Sequence, residues 1–120
     1  MEIPEDVKKS LDEGKCVVCC DNVVVCMTED YPRVPNPPVD IEVDREGKEI
    51  VLRNIVKDDV NNPLYLEYYV DKNFVQKVSE LGFIRVVFVA KDFSEEGKLD
   101  VKLNREDLLL IRREVGLGSF

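Results

Sequence analysis

The sequence predicts an α+β fold: a largely antiparallel sheet of six or seven strands with three short helices, in the order αβββββαββα. Three observations predict it. Short runs such as Val39-Asp-Ile-Glu-Val-Asp44 alternate apolar and polar residues with period two, the pattern of a half-buried strand. Other segments space their apolar residues three and four apart, as helices do. These helices fall around hairpins, at the start, middle and end of the chain, rather than between successive strands as a parallel α/β sheet requires. At 120 residues the chain reads as one α+β domain over 1–120. A chain of this size buries roughly two-thirds of its unfolded surface and builds a core without staples.

The elements follow in order. Pro4 opens a helix where a missing N–H costs nothing, and Glu5 and Asp6 suit its first turn. Val7 and Leu11 make its apolar stripe and Gly14 ends it. Lys15 to Cys20 and Val23 to Thr28 form a hairpin through Asp21-Asn22, a pair that tolerates positive φ. Both faces of this hairpin are apolar. The four prolines of 29–38 mark an extended crossing. Val39–Asp44 then pairs with Glu49–Val56 through Glu46-Gly47. That register sets Val43 against Ile50, Ile41 against Leu52 and Asp40 against Arg53, a favourable charge pair. After a polar loop, Leu64–Val70 turns Leu64, Leu66, Tyr68 and Val70 to one face and Tyr65, Glu67 and Tyr69 to the other. Asp71 caps a helix with Phe74, Val75, Val78 and Leu81 on its apolar side, and Gly82 stops it. Phe83–Lys91 is a near-continuous apolar strand at the sheet centre. A turn at Glu95-Glu96-Gly97 leads to Leu99–Leu103, and Asn104 caps a last helix with Leu108, Ile111 and Val115 as its stripe.

Composition excludes several functions. With 17 basic against 25 acidic residues the net charge is -8, which opposes nucleic-acid binding. The first 60 residues hold 8 basic and 15 acidic side chains, so nearly all the excess lies there. There is no histidine, which removes Ser-His-Asp and Cys-His catalysis and leaves Ser10, Ser79, Ser94 and Ser119 without an imidazole base. No apolar run approaches the ~20 residues of a membrane span, and the acidic N-terminus is not a signal peptide. The expectation is a soluble, cytoplasmic protein. Gln76 is the only glutamine while glutamate and lysine abound, a thermophilic leaning, although asparagine is not depleted.

Four cysteines, Cys16, Cys19, Cys20 and Cys26, fall within eleven residues. A Cys-x-x-Cys spacing suggests zinc or a redox pair. Read as strand residues, however, Cys16 and Cys20 stand roughly 13 Å apart, too far to share an ion. No second pair and no histidine complete a site. The cysteines are therefore expected to be structural, metal-free small hydrophobes, with a disulfide or a zinc site as the alternatives. Asp40, Glu42 and Asp44 share one strand face; such a cluster holds a cation or does acid–base work, or is simply the solvated face of an amphipathic strand. Asp58, Asp59, Asn61 and Asn62 lack EF-hand spacing and read as a turn. Pro32, Pro35 and Pro38 have the polyproline II period but read as a rigid surface crossing. Gly116-x-Gly118 opens no helix and so is no phosphate loop. Arg105, Arg112 and Arg113 balance Glu106 and Glu114.

No family motif and no nucleophile–base pair stand in the chain. The expected function is a non-enzymatic protein-interaction or regulatory protein, without cofactor, metal, nucleic acid or membrane. The central strand and first hairpin are apolar on both faces, and three short helices suffice for one. The other face must meet folded-over hairpins, a second copy as a homodimer, or a different protein partner. Phe83, Val87 and Val89, with Tyr65 and Tyr69 at the rim, are the candidate interaction surface. The alternatives are a small enzyme or ligand-binding domain using Asp40, Glu42 and Asp44, and a thiol or metal protein centred on Cys16 to Cys26.

Overall fold

The computed structural model describes residues 3–13, 16–27, 39–44, 49–57 and 64–118. In chain order these form α1 (Glu5–Asp12), β1 (Val17–Cys20), β2 (Val23–Met27), β3 (Val39–Asp44), β4 (Glu49–Lys57), β5 (Leu64–Val70), α2 (Lys72–Leu81), β6 (Phe83–Val89), β7 (Glu95–Lys102) and α3 (Arg105–Glu114). The fold is α+β with three helices and mostly antiparallel strands. Among the described residues no helix is long and apolar enough to cross a membrane. The helix borders follow local chemistry. The Asp71 carboxylate accepts from the Phe74 N–H at 2.9 Å, and the Asn104 amide oxygen accepts from the Asp107 N–H at 2.8 Å. Gly82, at φ +87°, closes α2 in the left-handed region that a side chain disfavours.

The strands do not form one sheet. β1-β2-β6-β7 make a four-stranded sheet and β3-β4-β5 a separate three-stranded meander. β2 and β6 run parallel, and every other paired neighbour is antiparallel. The meander and α2 lie between β2 and β6 in sequence, and a parallel pair requires a long crossover of that kind. The β3–β4 register is the one the alternation predicts, with Asp40 opposite Arg53, Ile41 opposite Leu52 and Val43 opposite Ile50. The turn expected at Glu46-Gly47, the helix stop at Gly14, the crossing of 29–38 and the loop of 58–63 lie outside the described residues.

The two-sided apolarity of β2 and β6 has an internal explanation. On one face Val24, Cys26, Ile84, Val86 and Phe88 meet Phe74, Val75, Val78, Leu108 and Ile111 of the helices and Leu52 and Tyr68 of the meander. On the other, Val25, Val87 and Val89 meet Ile3, Val7 and Leu11. The short α1 thus covers one face, while α2, α3 and the folded-over meander cover the other. Full burial of a Leu or Val side chain contributes about 1.5–3 kcal/mol, so even the two-residue stripe of α1 is a real adhesive. Of the covers expected for the second face, the chain's own elements, a second copy or another protein, the described residues show the first.

The β6–β7 turn also lies earlier than the sequence suggests. The Asp92 carboxylate accepts from both the N–H and the hydroxyl of Ser94, at 3.0 and 2.6 Å. Phe93 takes φ +64°, unusual for an aromatic residue. Its ring packs with the α1 cluster, with the Lys8 ammonium 5.3 Å from the ring centre. β7 then starts at Glu95, and Gly97 sits inside the strand opposite Phe88, not in a turn. Arg85 fixes this register with a two-pronged contact to Asp100 across the strands, at 2.9 and 3.3 Å.

Tyr68, 1% exposed, packs edge-on against Phe74 with ring centres 6.3 Å apart. Burial pushes its phenol far above the ordinary tyrosine value. The native state therefore keeps the proton, while the unfolded chain releases it near pH 10. The stabilising contribution is complete below about pH 10 and is lost as pH rises beyond it. The urea midpoint is expected to fall with pH above 10, and to fall less steeply in Tyr68→Phe. Parallel slopes for the two proteins would refute this.

Candidate functional site

The chemistry gathers on the first hairpin, and one irregularity organises it. A regular two-residue turn at Asp21-Asn22 pairs Cys20 with Val23 and would carry on to set Val17 against Cys26. Instead the register shifts between Val18 and Cys20, so that Val18 faces Val24 and Val17 faces Val25. Cys19 is the extra residue of a β-bulge. One step further along, Cys16 comes opposite Cys26, with the Cα atoms 4.4 Å apart and the sulfurs joined in a disulfide. Directly opposed antiparallel residues approach to about 4.5 Å at their narrow pairs, within disulfide reach. The four cysteines are therefore not equivalent, as the sequence reading took them to be. Two are bonded in the hairpin, and two, Cys19 and Cys20, are thiols.

The same bulge brings the thiols together. In a regular strand adjacent side chains point to opposite faces, yet the Cys19 and Cys20 Sγ atoms lie 3.2 Å apart. Asp21 follows at φ +50°. Asn22 anchors the tip: it is buried, its Nδ2 donates to the Phe83 carbonyl at 3.0 Å, and its own carbonyl accepts from the Arg85 N–H at 3.0 Å. The hairpin tip next to the thiols is thus tied to the start of β6. Cys20 is exposed and Cys19 half-buried. Burial, first, then the Cys20 sulfur and the Asp6 carboxylate, push the Cys19 thiol up to about 11.

A cleft of about 340 Å³ opens between this tip and α2. Cys19, Cys20 and Asp21 line one side, and Asp71, Gln76, Lys77 and Glu80 the other. Gln76 donates to the Glu80 carboxylate at 3.2 Å and Lys77 approaches it at 3.5 Å. Together they hold that carboxyl below its usual value, Gln76 foremost. The cleft is polar around a soft, sulfur-bearing corner.

Thiolate, not thiol, reacts with alkylating agents. Limited iodoacetamide treatment at pH 7 is therefore expected to modify Cys20 well before Cys19. Labelling of Cys19 should climb about tenfold per pH unit until its thiol titrates near 11. Peptide mapping across a pH series checks this, and equal labelling of both at pH 7 would contradict it.

The other candidate residues are not brought together. Val87 and Val89, each 1% exposed, lie beneath α1 and are closed to a partner. Phe83 is half-buried beside the Arg85 guanidinium, 5.1 Å from its ring centre. Tyr69 stands 63% exposed on β5, in the other sheet. The side chains of Tyr65, Asp40, Glu42 and Asp44 lie outside the described residues; their backbones place Asp40 opposite Arg53, and Asp44 opposite Glu49. Among the described residues no three His, Cys, Asp or Glu side chains group to hold a metal ion. What the sequence reading missed was the Cys19–Cys20 pair as a unit, and its only sequence signal is the adjacency of the two cysteines. Compared with protein-family models, curated proteins and solved structures, the chain finds no match.

Proposed function

We propose that the protein is a non-enzymatic binding protein of regulatory or adaptor type whose working element is the dithiol cleft between the first hairpin and α2. The observation that carries this reading is the pair of thiol sulfurs 3.2 Å apart on two residues that line the cleft, Cys19 also packing against the α1 cluster. Apolar surface no longer demands a protein partner or a second copy across a sheet face, because the chain covers both faces of β6 itself. Binding rather than catalysis suits the cleft. Cys19 stays protonated at neutral pH and the chain has no histidine to deprotonate it, so it makes a poor nucleophile. The reading keeps the protein in the cytoplasm of a thermophile. Glutamine is scarce, and intracellular disulfides such as Cys16–Cys26 are otherwise uncommon outside hyperthermophiles. Native mass spectrometry of the protein isolated anaerobically from its own cells tests the proposal. Wild-type chain should carry a bound species that a Cys19→Ser/Cys20→Ser variant lacks. A bare chain in both preparations would overturn it.

A further inference from the structure

We infer that Cys19 and Cys20 form a two-sulfur capture site for trivalent arsenicals, arsenous acid or its organic derivatives. The inference rests on the cleft reading above and names its ligand class. Two sulfurs can share one central atom in a few geometries, and the distance between them tells these apart. With bonds of about 2.3 Å, as in metal thiolates, a linear centre holds its sulfurs about 4.6 Å apart and a tetrahedral one about 3.8 Å. A pyramidal centre with bonds near a right angle holds them about 3.3 Å apart at the same bond length. The observed separation is 3.2 Å. Trivalent arsenic, with three bonds and a lone pair, is pyramidal in this way.

Ligand count points the same way. Soft thiolate sites select cuprous, zinc and iron–sulfur centres, but structural zinc and iron–sulfur sites draw on four protein ligands. Here Cys16 and Cys26 are bonded to each other, the chain has no histidine, and no third His, Cys, Asp or Glu ligand joins the pair among the described residues. An arsenical is complete with two protein sulfurs, its third bond going to hydroxyl or carbon.

Charge separates arsenic from soft metal ions. A metal ion binds two thiolates and expels two protons into solution. Arsenous acid condenses with two neutral thiols: two As–O bonds break, two As–S bonds form, and each thiol proton leaves on a departing hydroxide as water. No atom changes oxidation state and no thiolate charge is left in the site. Asp6 lies close enough to act on the Cys19 thiol, and Asp21 adjoins Cys20, so a product without added negative charge suits these surroundings.

The test uses phenylarsine oxide on the full chain and, in parallel, on Cys16→Ala/Cys26→Ala, where the competing thiols have no disulfide to open, so that retention common to both proteins reports Cys19 and Cys20. Its third bond is to carbon, so one retained arsenical reports two sulfurs. One equivalent is expected to be retained against excess 2-mercaptoethanol and released by 2,3-dimercaptopropanol. Cys20→Ser, a change at an exposed residue, and Cys19→Ser should each weaken retention at least 100-fold with an unchanged circular dichroism spectrum. Wild-type affinity should stay level between pH 6 and 8, whereas cadmium(II) on the same protein should bind more tightly as pH rises. Loss of the arsenical to the monothiol, equal retention by either single variant, or affinity rising with pH would each overturn the inference. A natural bound species that depends on both cysteines, alongside failure with phenylarsine oxide, would sink the arsenical and leave the cleft reading standing. Bare chain with tight arsenical retention would do the reverse.

Discussion

Phe88→Ala is expected to destabilise the protein by about 3–5 kcal/mol, the cost of truncating a buried phenylalanine without relaxation. Phe88 lies in β6 between Cys26 of β2 and Gly97 of β7, and it is fully buried. Its ring belongs to the cluster that joins the four-stranded sheet to α2, α3 and the meander. Gly97 opposite has no side chain to swing into the vacated space, so the void stays open. Small domains have about 5–15 kcal/mol of total stability, so this one change removes at least about a fifth of it. At roughly 4 °C per kcal/mol for a domain of this size, the melting temperature should fall by about 12–20 °C. Phe93→Ala is the control. That ring is only half-buried, at the edge of the α1 cluster, and the substitution should cost clearly less. Equal losses at the two positions, or a loss below about 1 kcal/mol at Phe88, would mean that β6 is not the centre of the core.

Much of the architecture is legible in the sequence where one local rule suffices. The β3–β4 register follows from Val39, Ile41 and Val43 alternating against Ile50 and Leu52, since a slip of one residue would turn every apolar side chain outward. The ends of α2 follow from Asp71 and Gly82, whose side chain and lack of one act within a single turn. Periodicity, by contrast, says that a strand is buried on both faces but not what buries it. The source of cover for Phe83–Lys91 stays open between the chain's own elements, a second copy and a partner, because nothing in Val7, Leu11, Leu52 or Tyr68 announces that they fold onto opposite sides of the same sheet. Nor does a strand's own sequence name its neighbours, so the parallel β2–β6 pair and the split into two sheets were hidden. The dithiol site was hidden for a smaller reason. A bulge shifts pairing by one residue, and Cys19 carries no mark of it; without that shift Cys16 meets Met27 and the two thiols point apart. The β6–β7 turn was missed because Phe93 adopts a conformation that glycine would have advertised.

Reduction of the Cys16–Cys26 disulfide is expected to cost about 3 kcal/mol. The bond closes a loop across a sequence separation of 10, and the chain-entropy account puts the constraint on the unfolded state near that figure for a loop so short. The folded state has reason to feel the loss as well. β1 is an edge strand of four residues, paired only with β2 and interrupted by the bulge, so few ladder hydrogen bonds hold it. Cys26 is buried in the main core cluster, and reduction leaves two thiols where one bonded pair had packed. Urea denaturation with and without dithiothreitol should show the midpoint falling, by an amount that Cys16→Ala/Cys26→Ala reproduces in the absence of reductant. Dithiothreitol should then leave the double variant unchanged, because Cys19 and Cys20 are already thiols. A midpoint indifferent to dithiothreitol in the wild type would show that the hairpin holds its register by β2 pairing and the Asn22 anchor alone. If the double variant loses stability while dithiothreitol does nothing, the effect belongs to side-chain packing, and the bond itself carries none of it.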